Sequence, residues 1–171
     1  MKKLKVIIFI DGSNIYFAQK KIGKWLDWVK VKKYLETKYD VIEIRYYAGI
    51  RKYDQKVILF LRKLVIVGFT IIQKLVKVIL DESGRRIEKA NFDVEITADI
   101  MKTLKVVDAV ILFSGDSDFA YLVELLHEQA KQLLIYSSRK TLSWELKMSA
   151  DKFFFIEDFS NLTKVRKFIK I

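Results

Sequence analysis

The feature that most constrains the fold is an apolar run near the amino terminus that ends in an acid and a glycine. Residues Val6–Ile10 are all aliphatic or aromatic, and the sequence Asp-Gly-Ser-Asn follows at positions 11–14. This pattern predicts a buried strand whose carboxyl end carries Asp11, followed by a helix that Ser13 caps. In an open α/β sheet, ligands bind beyond the carboxyl ends of the strands. We therefore expect Asp11 to take part in chemistry rather than in packing.

A second stretch repeats this arrangement far along the chain. The apolar run Ala109–Phe113 ends in Ser114 and Gly115, and the acids Asp116 and Asp118 follow directly. The pattern again predicts a buried strand, a tight turn and carboxylates at the start of a helix. Because parallel strands of one sheet end at the same edge, we expect the two strand tips to face each other.

The rest of the chain alternates between helix-like and strand-like segments. Helices are predicted over residues 25–38, 55–67, 92–104, 118–129 and 143–148, and strands over 41–48, 132–136 and 153–156. Residues 70–80 are predicted to contain a strand that leads into a hairpin, whose second arm covers 85–89. Alternating strands and helices predict an α/β fold in which a mainly parallel central sheet of five or six strands has helices on both faces.

Composition limits the kinds of protein that this chain can be. It has 171 residues, of which 51% are hydrophobic, so we expect a single domain over residues 1–171 with a full core. The longest apolar stretch, 64–72, is shorter than the roughly 17 residues that a membrane-spanning helix needs. The amino terminus also lacks a signal-peptide cleavage site. We therefore expect a soluble, cytoplasmic protein with no membrane partner, and monomer and homodimer both stay open.

The numbers of cysteine, histidine and charged residues limit the kinds of metal site and binding partner that the protein can have. No cysteine is present and His127 is the only histidine, which excludes disulfides, thiolate metal sites and multi-histidine zinc sites. Any metal must therefore be held by oxygen, and His127 is expected to be structural. The 32 Lys and Arg exceed the 21 Asp and Glu, giving a formal charge of +11. This excess fits a polyanionic partner about as well as it fits a solvated lysine surface.

Four acids are expected on one rim of the sheet, because each follows a strand or begins a helix: Asp11, Asp93, Asp116 and Asp118. Two bare carboxylates about 4 Å apart repel by roughly 4 kcal/mol at an effective dielectric near 20, so such a cluster needs a proton or a cation. A cation would neutralise phosphate oxygens and lower the pKa of an attacking water, as phosphodiester hydrolysis requires. Mg²⁺ or Mn²⁺ suits these oxygen ligands. Asp11 and Asp116 are expected to bind this cation directly, and Asp93 and Asp118 to complete the site directly or through water. Asn14 would then position a phosphate or a water.

Simpler structural roles stay open for several of these residues. Ser13 fits a helix cap better than a catalytic hydroxyl, and Asp118 fits a capping acid as well as a metal ligand. Asp99 lies six positions beyond Asp93, about 240° around the helix, which places it at the surface or behind the metal ligands. At least two of three nearby aromatic residues are expected to pack in the core rather than stack on bases, the three being Tyr16, Phe17 and Trp25.

Three separated motifs occur in an order that is typical of a known family. They cover residues 9–15, residues 91–94 followed by Asp99, and residues 113–119, and a closing segment covers 143–146 and 150–153. Together they resemble the NYN domains of the PIN-like nuclease superfamily, in particular the LabA-like branch. The resemblance covers nearly the whole chain. It implies a Rossmann-like PIN fold and a metal-dependent ribonuclease that acts on phosphodiester bonds.

The resemblance also implies roles for individual residues. By matching motif positions, it carries metal or catalytic roles to the four rim acids and a supporting role to Asn14, and it identifies Asp99 with a recurrent family acid. RNA is then the expected partner. The candidate contacts to its backbone are Asn14, Ser13 and the basic residues of the hairpin, Arg85, Arg86 and Lys89. The alternative is a non-catalytic module that keeps this fold and binds nucleic acid or another protein.

Overall fold

The structure is a computed structural model that describes residues 2–80, 82–84 and 86–165. Ten strands and six α-helices occur in this part of the chain. The strands are β1 (Lys5–Asp11), β2 (Lys24–Leu26), β3 (Asp40–Ile50), β4 (Thr70–Leu75), β5 (Lys77–Leu80), β6 (Arg86–Lys89), β7 (Ala109–Phe113), β8 (Gln132–Ser137), β9 (Lys152–Phe155) and β10 (Thr163–Val165). The helices are α1 (Gly12–Ile22), α2 (Trp28–Lys38), α3 (Gln55–Ile66), α4 (Asp93–Thr103), α5 (Ala120–Glu128) and α6 (Trp144–Ser149).

Six of these strands form one sheet in the order β4-β3-β1-β7-β8-β9, and every neighbouring pair is parallel. The two strands that carry the sequence motifs, β1 and β7, lie side by side at its centre, with Ile10 opposite Phe113. Their carboxyl ends therefore share one edge. The predicted α/β fold with a mainly parallel sheet of five or six strands is confirmed. Two small antiparallel pairs, β2 with β10 and β5 with β6, lie outside this sheet.

The central strand β1 contributes to two cores because its side chains alternate between the faces of the sheet. Val6, Ile8 and Ile10 lie in one buried cluster, together with apolar residues of α1, α2 and α3. Ile7 and Phe9 lie in the other, together with apolar residues of α4, α5 and α6. Helices therefore cover both faces, as the alternation of elements predicted. Within the described residues, no helix is long and apolar enough to cross a membrane.

Two predicted elements differ from the structure because long-range pairing overrides the local pattern. The helix predicted to begin at Trp25 begins at Trp28, since residues 24–26 form a strand with β10 and the Leu26 amide donates a 2.6 Å hydrogen bond to Gln19 Oε1. The strand predicted within 70–80 divides at Val76, whose amide donates to Ile50 O. Residues 77–80 then pair with β6 in the hairpin arm, which we define as residues 77–89.

Smaller corrections concern the ends of elements. The helix predicted over 118–129 begins as a 3-10 turn over Ser117–Phe119, and α5 runs only from Ala120 to Glu128. The last strand of the sheet covers 152–155 rather than 153–156. The strand predicted over 41–48 extends to Asp40–Ile50. These shifts of one or two residues leave the order and the faces of the elements unchanged.

Candidate metal centre at the carboxyl edge of the sheet

Asp11 is the last residue of β1, and it caps the helix that follows. Its Oδ1 accepts a 3.1 Å hydrogen bond from the Asn14 amide. The prediction that Ser13 caps α1 is therefore wrong: Ser13 lies inside the helix, one residue after its start. The chain turns so tightly here that a Cβ on Gly12 would collide with Tyr47 O and with the Tyr46 ring. Glycine lets β1 pass directly into α1, which holds the Asp11 carboxylate at the edge of the sheet.

The tip of β7 is organised by its own hydroxyl and carboxylate. Ser114 Oγ accepts a 3.3 Å hydrogen bond from the Asp116 amide. Asp116 Oδ1 in turn accepts a 3.2 Å bond from the Asp118 amide. Asp116 is thus the cap of the short 3-10 turn, a role that the sequence had offered to Asp118. A Cβ on Gly115 would collide with Thr141 O, so glycine is needed where this tip passes under the loop before α6.

Two hydrogen bonds join the tips of β1 and β7. Asn14 Oδ1 accepts a 3.0 Å bond from the Gly115 amide. The Ser114 hydroxyl donates a longer bond of 3.4 Å to Asp11 Oδ2. The two tips therefore face each other, as the repeated motif predicted. Ser114 was not among the predicted site residues, although its position directly before the glycine turn was a usable signal.

Asp93 reaches the same edge from α4. It is the first residue of that helix, and its amide donates a 2.9 Å hydrogen bond to Asn91 Oδ1. The preceding residue, Phe92, is buried and packs edge-on against Tyr47 of β3, with 5.7 Å between ring centroids. This contact fixes the start of α4 against the sheet. Asn91 and Tyr47 were both missed as supporting residues, since neither side chain is chemically distinctive at its position in the sequence.

Three of the four predicted acids come together as one group, which we call the acid group. Asp93, Asp116 and Asp118 each offer one carboxylate oxygen, and these oxygens lie within 4.8 Å of one another. Asp93 and Asp116 are half-buried, whereas Asp118 is exposed. Burial raises the pKa of the Asp93 carboxyl, and the charges of Asp116 and Asp118 raise it further. The acid group thus concentrates negative charge on a part of the edge that solvent reaches.

Asp11, which the sequence predicted as a direct ligand of the cation, does not belong to the acid group. Its residue is only 7% exposed. Burial raises the pKa of its carboxyl from the ordinary 3.8 to about 6; the charges of Asp93 and Asp116 also raise it, while hydrogen bonds from Asn14 and Ser114 lower it. The influence of both acids on this pKa shows that Asp11 belongs to the same electrostatic site. The four acids therefore form a layered arrangement, with one buried carboxylate under three more accessible ones.

The donor set suits a hard divalent cation. All the candidate ligands are carboxylate oxygens, which Mg²⁺ and Mn²⁺ prefer, and the partial exposure of the acid group leaves room for the waters that Mg²⁺ retains. Two full charges about 5 Å apart repel by roughly 3 kcal/mol at an effective dielectric near 20. A cation would remove this repulsion. The geometry and the charge of the site both fit one.

Asp99 does not join the acid group, in agreement with its position around the helix. Its Oδ2 accepts a 2.9 Å hydrogen bond from the Tyr47 hydroxyl, and its Oδ1 pairs with Lys102 Nζ at 3.1 Å. Burial alone would raise the pKa of Asp99, but the bonds from Lys102 and Tyr47 outweigh it and hold that pKa below its usual range. Asp99 thus anchors the tyrosine against which the start of α4 packs. Its connection to the site is indirect.

The basic residues expected to contact RNA are only partly described. Arg85 lies outside the described residues, and so do the side chains of Arg86 and Lys89. Lys74, at the end of β4, pairs with Glu95 at 2.6 Å and lies over the Phe92 ring at 4.4 Å. This lysine therefore holds α4 against the sheet.

The expectation that at least two of the three nearby aromatic residues pack in the core is wrong. Tyr16 and Phe17 are 48% and 58% exposed, and Trp25 is half-buried against Tyr16. The reason is that the core meets the face of α1 that carries Ile15 and Ala18, so the two residues between them turn outward. His127 is structural as expected, because its Nε2 lies 3.1 Å from Asp151 Oδ2, which also accepts the Leu133 amide.

Comparison with known proteins places this geometry in a family. The family model of the NYN domain matches residues 5–157. The chain is 32% identical to the "Low amplitude and bright protein LabA" of Synechococcus elongatus, over 97% of this chain and 88% of that protein. It is also similar to the crystal structure of a protein of unknown function from Vibrio parahaemolyticus, with a TM-score of 0.77 and 30% identity over 91% of this chain and 94% of the other.

These matches agree with the residues that first indicated the family. The matched region begins with β1 and extends past β9, so it contains the whole central sheet and all four acids. A cluster of aspartates at the carboxyl edge of such a sheet fits the site of a nuclease. The chain belongs to the NYN domain family of the PIN-like nuclease superfamily, and it is similar to LabA.

Proposed function

We propose that the protein is a metal-dependent ribonuclease that hydrolyses phosphodiester bonds of RNA at the carboxyl edge of its sheet. The observation that carries this proposal is the acid group, in which three carboxylate oxygens lie within 4.8 Å of one another above a buried fourth acid. Membership in a nuclease superfamily supports this reaction class. The acid group gives a place where that reaction can occur.

In this proposal Asp93, Asp116 and Asp118 hold the cation, and Asp11 adds negative charge from behind. A bound Mg²⁺ or Mn²⁺ would neutralise phosphate oxygens and lower the pKa of the attacking water. The four acids come from three separate parts of the chain, which the hydrogen bonds at the two strand tips and at the start of α4 hold in place. This rigidity keeps the carboxylates close together despite their repulsion.

Asn14 has a defined task in this scheme. Its carbonyl oxygen accepts the Gly115 amide, so its amino group remains to donate a hydrogen bond to a phosphate oxygen or a water. Ser13 lies beside it in the first turn of α1 and is half-buried. We assign both residues to the positioning of substrate. Neither is required to exchange a proton.

The hairpin arm supplies a route for the RNA backbone. It begins directly after β4 at the carboxyl edge of the sheet, and it returns to Ala90, three residues before Asp93. The arm carries a cluster of basic residues in its sequence, and we assign its phosphate contacts to Arg85, Arg86 and Lys89. The formal charge of +11 favours the same polyanionic partner.

The test is a cleavage assay on labelled single-stranded RNA, structured RNA and single-stranded DNA. We expect RNA to be cut with Mg²⁺ or Mn²⁺ and to stay intact in excess chelator. Asp116→Asn is the loss-of-function control, and Glu124→Gln, an exposed acid of α5 outside the acid group, is the matched charge control. Cleavage that persists in chelator contradicts the metal-dependent reaction. Tight RNA binding without cleavage under any of these conditions favours the non-catalytic module instead.

A further inference from the structure

A concave site lies at the carboxyl edge of the sheet, where α1 begins and β3 ends. It is a cavity of about 310 Å³, which we call the side cavity. Its walls come from four elements: the start of α1, the end of β3, the first two turns of α3 and the base of the hairpin arm. Its lining includes Gly12, Ser13, Tyr16, Phe17, Arg51 and Phe60. A cavity of this size is large enough to bind part of a ligand with a flat, largely apolar surface.

Aromatic rings line the side cavity while they remain open to solvent. Tyr16 is 48% exposed and Phe17 is 58% exposed, and the two rings meet edge to face with 5.6 Å between centroids. Trp25 supports Tyr16 from behind at 5.5 Å. Phe60 of α3 also lines the cavity and packs edge-on against the buried ring of Tyr46, with 5.7 Å between centroids. Exposed apolar surface that is gathered in one concave place marks a binding site more often than it marks ordinary surface.

The side cavity is lined by residues that neighbour the acids in the chain. Gly12 and Ser13 line it, and they directly follow Asp11, the buried acid of the site. The end of β3 forms another wall, and β3 is the strand next to β1 in the sheet. A strand of RNA whose phosphate lies at the acid group would therefore bring a neighbouring nucleotide to the mouth of the side cavity.

The chemistry of the lining fits a nucleobase. The rings of Tyr16 and Phe17 offer faces on which a base can stack, and Arg51 adds an exposed positive charge among the lining residues. Asp54 also lines the cavity, and its Oδ1 accepts the Val57 amide. This carboxylate provides an acceptor for an exocyclic amino group, and it makes the cavity unfavourable for a phosphate. The lining therefore favours a flat, uncharged group, and the formal charge of +11 favours one that is carried by a polyanionic chain.

We propose that the side cavity binds an unpaired base of the RNA strand that is cut, next to the scissile phosphate. This inference rests on the proposed ribonuclease activity and narrows its substrate to single-stranded or looped RNA. A base held in a duplex cannot enter the cavity, because its faces are stacked and its edge is paired. The protein would therefore select RNA substrates by the presence of an unpaired base, and not by reading a base sequence along a groove.

The first experiment measures binding without turnover. A fluorescein-labelled single-stranded RNA of mixed sequence is titrated in excess chelator against the parent, Tyr16→Ala, Phe17→Ala and Tyr16→Phe. We expect each alanine variant to bind about fivefold or more weakly, the range that loss of one stacked base gives, and Tyr16→Phe to bind like the parent. Phe153→Ala, which removes a partly exposed ring from the edge strand β9, is the control and should leave the affinity unchanged.

The second experiment uses the parent protein alone. In Mg²⁺, a set of RNA strands that each carry one abasic nucleotide is cut and the products are mapped. We expect cleavage to be lost at the bond next to the abasic position and to continue at the other bonds. Equal cleavage at every bond overturns the inference, and so does unchanged RNA affinity in both alanine variants. Because this experiment needs no ring substitution, it stands even where a variant fails to fold.

The two proposals fail in distinguishable ways. If RNA affinity depends on Tyr16 and Phe17 but no metal supports cleavage, the side cavity is supported and the ribonuclease proposal is wrong. If RNA is cut but the substitutions at Tyr16 and Phe17 leave its affinity unchanged, only the assignment of the side cavity is wrong.

The two rings could instead mediate self-association. Sedimentation of the parent and of Phe17→Ala therefore belongs in the same series of experiments. A parent dimer that this substitution converts to monomer, with unchanged RNA affinity, overturns the inference.

Discussion

Asn14 and Gly115, which are 101 positions apart in the sequence, are joined by a 3.0 Å hydrogen bond from the Gly115 amide to Asn14 Oδ1. The bond links the first turn of α1 to the tip of β7, the two places where the chain turns away from the centre of the sheet. It fixes the separation of Asp11 and Asp116, because each acid lies within three residues of one of the bonded groups. The geometry of the candidate site thus depends on a side chain that is not itself an acid.

Replacing Asn14 by alanine should loosen this link. The Gly115 amide would lose its partner in a part-buried setting, and we expect the free energy of unfolding to fall by about 1 kcal/mol. The measurement is urea denaturation of the parent and the variant. If the two proteins have the same m-value, the shift in midpoint reports the change in stability. Ser13→Ala is the matched control, since the described residues offer the Ser13 hydroxyl no hydrogen bond, and it should change stability by less than about 0.5 kcal/mol. Equal effects of the two substitutions would contradict the role given to Asn14.

Replacing a residue of the acid group by asparagine should lower activity without lowering the stability of the metal-free protein. Asp93→Asn and Asp116→Asn should each reduce cleavage by a factor of about 100 or more, because a ligand is lost where phosphate charge must be neutralised. In excess chelator their melting temperatures should equal or exceed that of the parent, because charge repulsion is relieved. Asparagine retains the oxygen that lets Asp116 accept the Asp118 amide, so the cap is preserved.

Added Mg²⁺ completes this test. It should raise the melting temperature of the parent by mass action and raise that of the two variants less. Glu124→Gln should behave like the parent in both conditions. Variants that melt clearly lower in chelator and still cut RNA at the parent rate would show that the acids have a structural role only.

The buried carboxyl of Asp11 predicts a dependence of stability on pH. Its pKa in the folded protein is raised from 3.8 to about 6, so the folded state holds this proton more tightly than the unfolded state. The stabilisation is complete below about pH 4 and is lost as the pH rises through about 6. The shift corresponds to roughly 3 kcal/mol at most. The raised pKa of Asp93 acts in the same direction.

This dependence is measured by urea unfolding in chelator between about pH 4.5 and pH 7.5. We expect the parent to lose stability across this range relative to Asp11→Asn, whose side chain does not titrate. Asparagine can still accept the Asn14 amide, so the comparison isolates the proton. Parallel profiles for the two proteins would show that the Asp11 carboxyl is ionised in the folded state throughout.

Salt should weaken RNA binding if lysine and arginine residues near the carboxyl edge of the sheet contact the phosphates. The logarithm of the binding constant is expected to fall linearly with the logarithm of salt concentration, by roughly 0.7 for each phosphate neutralised on a single strand. Lys52 follows β3 and Lys77 begins β5, so both lie near the carboxyl edge. Replacing either by glutamine should reduce the slope by about that amount. Lys105→Gln, an exposed lysine before β7 at the opposite edge, should leave it unchanged.

The sequence by itself determined the plan of the fold. Runs such as Val6–Ile10 and Ala109–Phe113 are apolar at every position, which is characteristic of strands buried on both faces, and helical segments separate them. Parallel order, helices on both sides and acids at one edge follow from that pattern, and the structure agrees with each of them. Local pattern also places Asp99 away from the acid group, because the helical period alone decides that position.

Only the tertiary structure decided how the site is layered and what surrounds it. Which of four similar aspartates is buried depends on the packing of β1 between β3 and β7, and the sequence around Asp11 and Asp116 is too alike to show it. Pairing of β2 with β10 likewise replaced the start of a predicted helix. The outward turn of Tyr16 and Phe17 depends on which face of α1 meets the core. Contacts between residues far apart in the chain set all three, and local sequence does not encode them.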